Sequence, residues 1–266
     1  MLIDTHCHLH DREFFSAKQA EEMLERAHQN GVEKIICIGT DPADSLAARD
    51  FATTHDNVFW TYGIHPEQAS ILNLETVPRK FYEIFEASKA CDDRSERARS
   101  KNLNACLIGI GEVGLDYHYD TTSRDQQIKL LNAMLDLALK NDLPVSFHVR
   151  EAFDDFFGVI ANFPQIHGVI HSFSDNKKNL KRILNETDFY IGVNGLATYS
   201  TLPTPPLNRI LLETDAPFLT PVPFRGIINE SGYIKQIASW LASKLDQPFE
   251  IIEQETTKNA RDLFHF

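Results

Sequence analysis

No stretch of this sequence approaches the roughly 18 consecutive apolar residues of a membrane-spanning helix, so no span is expected. The N-terminus lacks the basic start and apolar stretch of a secretory signal; the residues after Met1 already read as structure. Cysteine is scarce. The four present, Cys7, Cys37, Cys91 and Cys106, form no C-x-x-C pair. Free thiols in a reducing cytosol are the simplest account, which points to a cytoplasmic protein. A basic excess is missing too. With 26 Lys and Arg against 38 Asp and Glu, the formal net charge is −12, which argues against broad, sequence-blind adhesion to nucleic acid. A polyanionic substrate would have to be drawn by a site rather than by the whole molecule. Part of the negative charge can belong to metal ligands, since each divalent ion restores two positive charges locally. No linker, internal repeat or low-complexity tract divides the chain, and nothing in it points to an obligate protein partner.

What is present is an ordinary globular composition, 42% hydrophobic and 24% charged, in 266 residues. Short apolar runs alternate with longer amphipathic segments. Candidate strands lie at Leu2-Ile3-Asp4, Lys34 to Ile38, Val58 to Tyr62, Cys106 to Ile110, Pro144 to His148, Gly168 to His171, Phe189 to Val193 and Ile210 to Leu212. Candidate helices lie at Ala17 to Asn30, Asp44 to His55, Ser123 to Asn141, Ile234 to Leu245 and Phe249 to Leu263. Eight apolar runs, most separated by helical stretches, imply parallel βαβ units with strands covered on both faces. The expected fold is an α/β protein, a (β/α)8 TIM barrel, single domain over 1–266. A doubly wound open sheet would place a Gly-rich phosphate turn after an early strand, and none is there. The polar stretch 86–104 reads as a solvated extension within the barrel.

Asp4-Thr5-His6-Cys7-His8 follows the first apolar run. On a strand, alternate side chains share a face, so His6 and His8 point one way and Cys7 the other. Two imidazoles on one face are half of a first-row metal site. The other strand ends supply partners: His65, Glu112, His148, His171 and Asp215. In a parallel barrel such ends meet on one rim. Four histidines (His6, His8, His148, His171) and two carboxylates (Glu112, Asp215) exceed the needs of one tetrahedral catalytic ion, which takes about three protein ligands plus water. Two divalent ions about 3.5–4 Å apart are expected, with Glu112 as the bridge between an ion on His6 and His8 and an ion on His148 and His171. Asp215 can both ligate and act as general base. His65 is a candidate ligand of a third ion or a substrate contact.

Arg150 lies two beyond His148, on the same strand face, and can hold a phosphate by a bidentate fork. Tyr117 and Phe173 follow metal-binding strand ends and are candidates for stacking on a base. Lys177, Lys178, Lys181 and Arg182 make a rare basic spot in this acidic chain; on a helix, Lys177 and Lys181 share a side and can receive a phosphate backbone.

Taken in order, Asp4-Thr5-His6-Cys7-His8, Gly63-Ile64-His65-Pro66, Gly111-Glu112-Val113-Gly114-Leu115-Asp116-Tyr117, His148-Val149-Arg150, His171-Ser172-Phe173 and Glu213-Thr214-Asp215-Ala216-Pro217 resemble the motif series of the TatD family of metal-dependent deoxyribonucleases. Pro223-Phe224-Arg225-Gly226 and Asn259-Ala260-Arg261-Asp262-Leu263-Phe264 resemble its late motifs. The match runs from residue 4 to residue 264. After Gly226, where the family commonly continues with a basic residue and Asn-Glu-Pro, this chain reads Ile227-Ile228-Asn229-Glu230-Ser231. The resemblance implies a TIM barrel of the metallo-dependent hydrolase superfamily. It implies metal ligation by His6, His8, Glu112, His148, His171 and Asp215, with Mg, Mn or Zn as the ion, and substrate contacts from His65, Arg150 and Arg225. It also implies cytoplasmic hydrolysis of phosphodiester bonds in DNA, at single strands or 3′ ends.

Two other functions compete on the same scaffold: hydrolysis of amide, ester or lactone bonds, and non-catalytic metal binding. Many relatives of the first kind bridge their ions with a carbamylated lysine. No lysine follows strand four here; Glu112 holds that place.

Overall fold

The computed structural model describes residues 1–71, 73–90, 107–119 and 123–265, the side chains of 86–90 excepted. Eight strands form one sheet in the order of the sequence: β1 (Leu2–Cys7), β2 (Val32–Ile38), β3 (Val58–Tyr62), β4 (Leu107–Asp116), β5 (Val145–Arg150), β6 (Gly168–Ile170), β7 (Tyr190–Val193) and β8 (Ile210–Leu212). The strand pairs are parallel, and helices lie between most of them, so the fold is a (β/α)8 barrel. The helices are α1 (Ala17–Gln29), α2 (Pro42–Thr53), α3 (Val77–Ala90), α4 (Arg124–Asn141), α5 (Phe153–Ile160), α6 (Lys177–Glu186), α7 (Ile234–Leu245) and α8 (Phe249–Phe264). Among the described residues no helix is long and apolar enough to cross a membrane. The polar stretch 86–104 lies, past residue 90, outside the described residues, as do Cys91 and Cys106; Cys7 and Cys37 are free and buried.

Local chemistry explains where the helices start. Ser16 caps α1 in a reciprocal box with Gln19. Asp41 caps α2 by accepting from the Ala43 and Asp44 amides, with Pro42 in the first turn. Ser123 caps α4, which ends at Asp142 in the left-handed region. The buried face of α4 carries Leu130, Leu131, Met134, Leu135, Leu137 and Ala138. Truncating any of these leucines to Ala would cost about 2–5 kcal/mol.

Three strands run further than the sequence implies. β1 continues to Cys7, so His6 lies on the strand and His8 just past it. β5 reaches Arg150, which puts His148 and Arg150 at alternate positions of one strand. β4 was expected to stop at Ile110, because Gly111 reads as a breaker. It runs on to Asp116, paired as Val113 with Phe147, Gly114 with His148, Leu115 with Val149 and Asp116 with Arg150. Glycine is what permits this close pairing: a Cβ at Gly114 would overlap the His148 carbonyl. Between β7 and β8 the described chain forms short 3-10 turns at Gly195–Tyr199 and Leu207–Arg209 rather than an α-helix.

The chain divides into two compact units, Met1–Cys37 with His167–Phe266, and Ile38–Ile166.

Candidate metal centre

The first unit carries one cluster of donors. The ends of β1 and of the segment after β8 are stitched together: the Asp215 amide donates to the His6 carbonyl at 2.8 Å, and the His8 amide to the Ala216 carbonyl at 2.8 Å. Asp4 fastens the same join, accepting from the Thr214 amide at 2.9 Å and its hydroxyl at 2.6 Å. The result is that one oxygen of Asp215 faces three imidazoles. Its Oδ1 lies 3.5 Å from His8 Nε2, 3.7 Å from His6 Nε2 and 3.9 Å from His171 Nε2. The His6 and His171 rings stack with centroids 3.4 Å apart. Burial alone would raise the Asp215 carboxyl, but His171, the hydrogen bond with His8 and the nearby His6 together hold it below the usual carboxylate range.

His171 is oriented from behind. Glu213, fully buried, has Oε1 3.0 Å from His171 Nδ1. The same oxygen accepts from the Ser172 amide at 2.7 Å and from Asn194 Nδ2 at 3.1 Å. Gly192 makes room for it, since a Cβ there would overlap the Glu213 carboxylate. A carboxylate behind a ligand imidazole sets its tautomer and ring angle.

The second unit carries another cluster, His65, Glu112 and His148. The Glu112 amide donates to Gly39 O at 2.7 Å, and the His65 amide to Thr40 O at 2.7 Å. Glu112 Oε1 lies 2.7 Å from His148 Nδ1 and 3.8 Å from His65 Nε2. The other His148 nitrogen, Nε2, lies 2.8 Å from Asp116 Oδ2, which occupies the supporting position that Glu213 has at His171. Burial would raise the Asp116 carboxyl, yet its hydrogen bonds with His148 and the His118 amide hold it low.

The donor set around Asp215 fits a divalent first-row ion. A tetrahedral ion with bonds near 2.1 Å places its ligand atoms about 3.4 Å apart. The three imidazole nitrogens around Asp215 Oδ1, at 3.5–3.9 Å, match that spacing, and His6, His171 and Asp215 form one donor cluster. Grouping His171 with His6 and Asp215 departs from the sequence expectation, which paired it with His148.

The remaining candidates fall as follows. Arg150 is partly buried at the end of β5, its guanidinium 5.2 Å from the centroid of the half-exposed Tyr119 ring. Arg225 lies 4.0 Å over the Tyr199 ring. Lys177 and Lys181 line an open surface groove on α6 with Lys178 and Arg182. Tyr117 is already engaged: its hydroxyl donates to Asp155 at 2.7 Å, and Arg124 lies over its ring at 4.3 Å. Phe173 is buried and lines a partly open cavity with Val193 and Trp240. Glu213 and Asp116 were not singled out from sequence; the signal for both is an acid two before or four beyond a candidate ligand carboxylate, in the Glu213-Thr214-Asp215 and Glu112 to Asp116 motifs.

A chain from Bacillus subtilis (strain 168), YabD, described as an uncharacterized metal-dependent hydrolase, is 31% identical over 99% of this chain and 99% of its own length. A protein from Erwinia billingiae (strain Eb661) described as the 3′-5′ ssDNA/RNA exonuclease TatD is 29% identical over 93% of this chain and 94% of its own. The crystal structure of YjjV, a TatD homolog from Escherichia coli K12, superposes with a TM-score of 0.82 at 27% identity, covering 100% of this chain and 98% of that one. The model of the TatD-related DNases matches residues 3–265, and the chain belongs to that family.

Proposed function

We propose that the protein is a metal-dependent hydrolase that cleaves phosphodiester bonds in DNA, acting as a 3′-5′ exonuclease on single strands or 3′ ends. The observation that carries this reading is Asp215, a carboxylate held ionised with three imidazole nitrogens within 3.9 Å of one oxygen. The relative from Erwinia billingiae, named for 3′-5′ exonuclease activity on single-stranded DNA and RNA, supports the substrate class.

His6, His8, His171 and Asp215, and Glu112 with His148, would hold two divalent ions, Mg, Mn or Zn. His65, clustered with Glu112 and His148, is the candidate for a third. Such ions, when bound, supply Lewis-acid charge and lower the pKa of a coordinated water. The chain's own residues do the rest. Asp215, kept ionised, accepts a proton from the attacking water. Glu213 and Asp116 hold the His171 and His148 rings in place from behind. Arg150 and Arg225 offer planar forks to phosphate oxygens, and Lys177 and Lys181 receive the strand as point charges.

Protein stripped of metal, reloaded with Mg, Mn or Zn, and given end-labelled single-stranded DNA beside simple amides and esters tests the reading. Release of mononucleotides from the 3′ end is expected. Turnover of amides or esters without DNA cleavage would establish the amidohydrolase alternative, and no turnover with any metal a binding role alone.

A further inference from the structure

Two aromatic side chains beside His8 are left half exposed. Phe218 is 47% and Phe14 43% accessible. Their rings meet edge to face 5.3 Å apart, and the Phe218 ring stands edge to face 6.4 Å from the His8 imidazole. Aromatic rings carry a large hydrophobic payload, so exposure at this place costs stability unless something covers it.

Neither ring hangs on a loose arm. The Phe218 amide donates to the Asp215 carbonyl at 2.7 Å, and its carbonyl accepts from Asn229 Nδ2 at 2.6 Å. Asn229 also donates to the Thr214 carbonyl at 2.8 Å, and its amide to Pro217 O at 3.1 Å, which closes the loop 217–229 on itself. Next to Phe14, the buried Phe15 donates from its amide to Asp11 O at 3.0 Å. The pair is therefore set on folding, and its ordering cost does not fall on binding.

The position restricts what can rest there. A group on Phe218 lies beside whatever His8 holds, because the two rings stand edge to face 6.4 Å apart. In a nucleic acid every phosphodiester is flanked by a flat base with a π face, which stacks on an aromatic ring whatever its sequence. The same loop carries Arg225, a cation suited to the neighbouring phosphate. On the phosphodiesterase reading above, we propose that Phe218, supported edge-on by Phe14, is the stacking platform for the nucleobase next to the scissile bond. The platform takes any base and needs it unpaired, so it favours single strands and frayed ends over intact duplex. It also makes a base-bearing terminus a better substrate than an abasic one.

The test compares two end-labelled single-stranded oligonucleotides, identical except that one ends in a normal 3′ nucleotide and the other in a tetrahydrofuran abasic residue, on the metal-loaded full-length protein. Wild type is expected to prefer the base-bearing end through KM. Phe218→Ala narrows that preference by about tenfold. Phe14→Ala narrows it less, and Phe218→Tyr, which keeps the ring, restores it. A Phe218→Ala protein that cleaves both oligonucleotides with the wild-type preference overturns the platform and leaves the phosphodiesterase reading standing. A wild-type protein that cleaves neither overturns both.

Discussion

Thr214 gives both of its donors to one buried carboxylate: its amide reaches Asp4 Oδ1 at 2.9 Å and its hydroxyl Asp4 Oδ2 at 2.6 Å. The bond joins the start of β1 to the segment that presents Asp215. Asp4→Ala leaves three buried donors, the Thr214 amide and hydroxyl and the His6 amide, without that acceptor, at about 1–3 kcal/mol each, and should lower Tm by roughly 6–18 °C. Because Asp215 loses its anchor, bound metal should fall as well. Thermal unfolding and metal analysis on one preparation check both effects; an unchanged Tm would show that the join does not depend on Asp4.

The same group gives a pH signature. Burial pushes the Asp4 carboxyl up to about 7, against hydrogen bonds from Thr214 and the His6 amide. The unfolded value is about 3.9. Between about pH 4 and 7 the native chain keeps a proton that the unfolded chain has released, so this group makes stability fall as pH rises through that window and level off above it. Asp4→Asn removes the ionisation and should flatten the slope. Guanidinium unfolding of chelator-treated wild type and variant at pH 5 and pH 8 measures it, and identical slopes would contradict the assignment.

Glu213 Oε1 lies 3.0 Å from His171 Nδ1, so on the proposed function it would act on a metal through His171 rather than by touching it. Glu213→Gln keeps the shape and removes the charge. Metal affinity should drop about 10–100-fold while the fold persists. Isothermal titration with Mn or Zn, beside far-UV circular dichroism, separates this from unfolding. Wild-type affinity in a folded variant would remove Glu213 from the site.

Gly114 lies where β4 passes closest to β5, and a Cβ there meets the His148 backbone. Gly114→Ala should cost about 1–3 kcal/mol and displace His148 together with its contacts to Glu112 and Asp116. The expected outcome is a lower Tm and a larger loss of metal than an Ala substitution on the exposed face of α4 produces. Equal metal content in the two variants would argue against it.

Much of the site is legible in the sequence because period-two spacing is local. His148 with Arg150 follows from alternation on one strand, His6 with His8 from the same spacing carried one residue past the end of β1, and each strand's parallel partners follow from the apolar runs. What was not legible depends on contacts between distant residues. Glu213 reads as a neighbour of Asp215, and its hold on His171 exists only because Gly192, on the adjacent strand, leaves it space. Asp116 lies beyond the expected strand end at Ile110; the pairing of β4 with β5 carries the strand on to it. The short helix α5 was not singled out although Phe153, Phe156, Phe157 and Ile160 recur at helical spacing; eight residues give only two turns on which to read the pattern. Phe173 looked like a stacking residue from its place after His171, yet it is buried, and the exposed rings beside His8 are Phe14 and Phe218.

The most direct test is a metal titration read two ways on one preparation. Chelator-stripped protein would receive Mn in steps, with bound metal and 3′ mononucleotide release from single-stranded DNA measured at each. Release should be absent without metal, rise as the second equivalent binds, and drop at least a hundredfold in Asp215→Asn at equal Mn. Full activity in the stripped protein, or two bound equivalents with no cleavage of any oligonucleotide, would contradict the account.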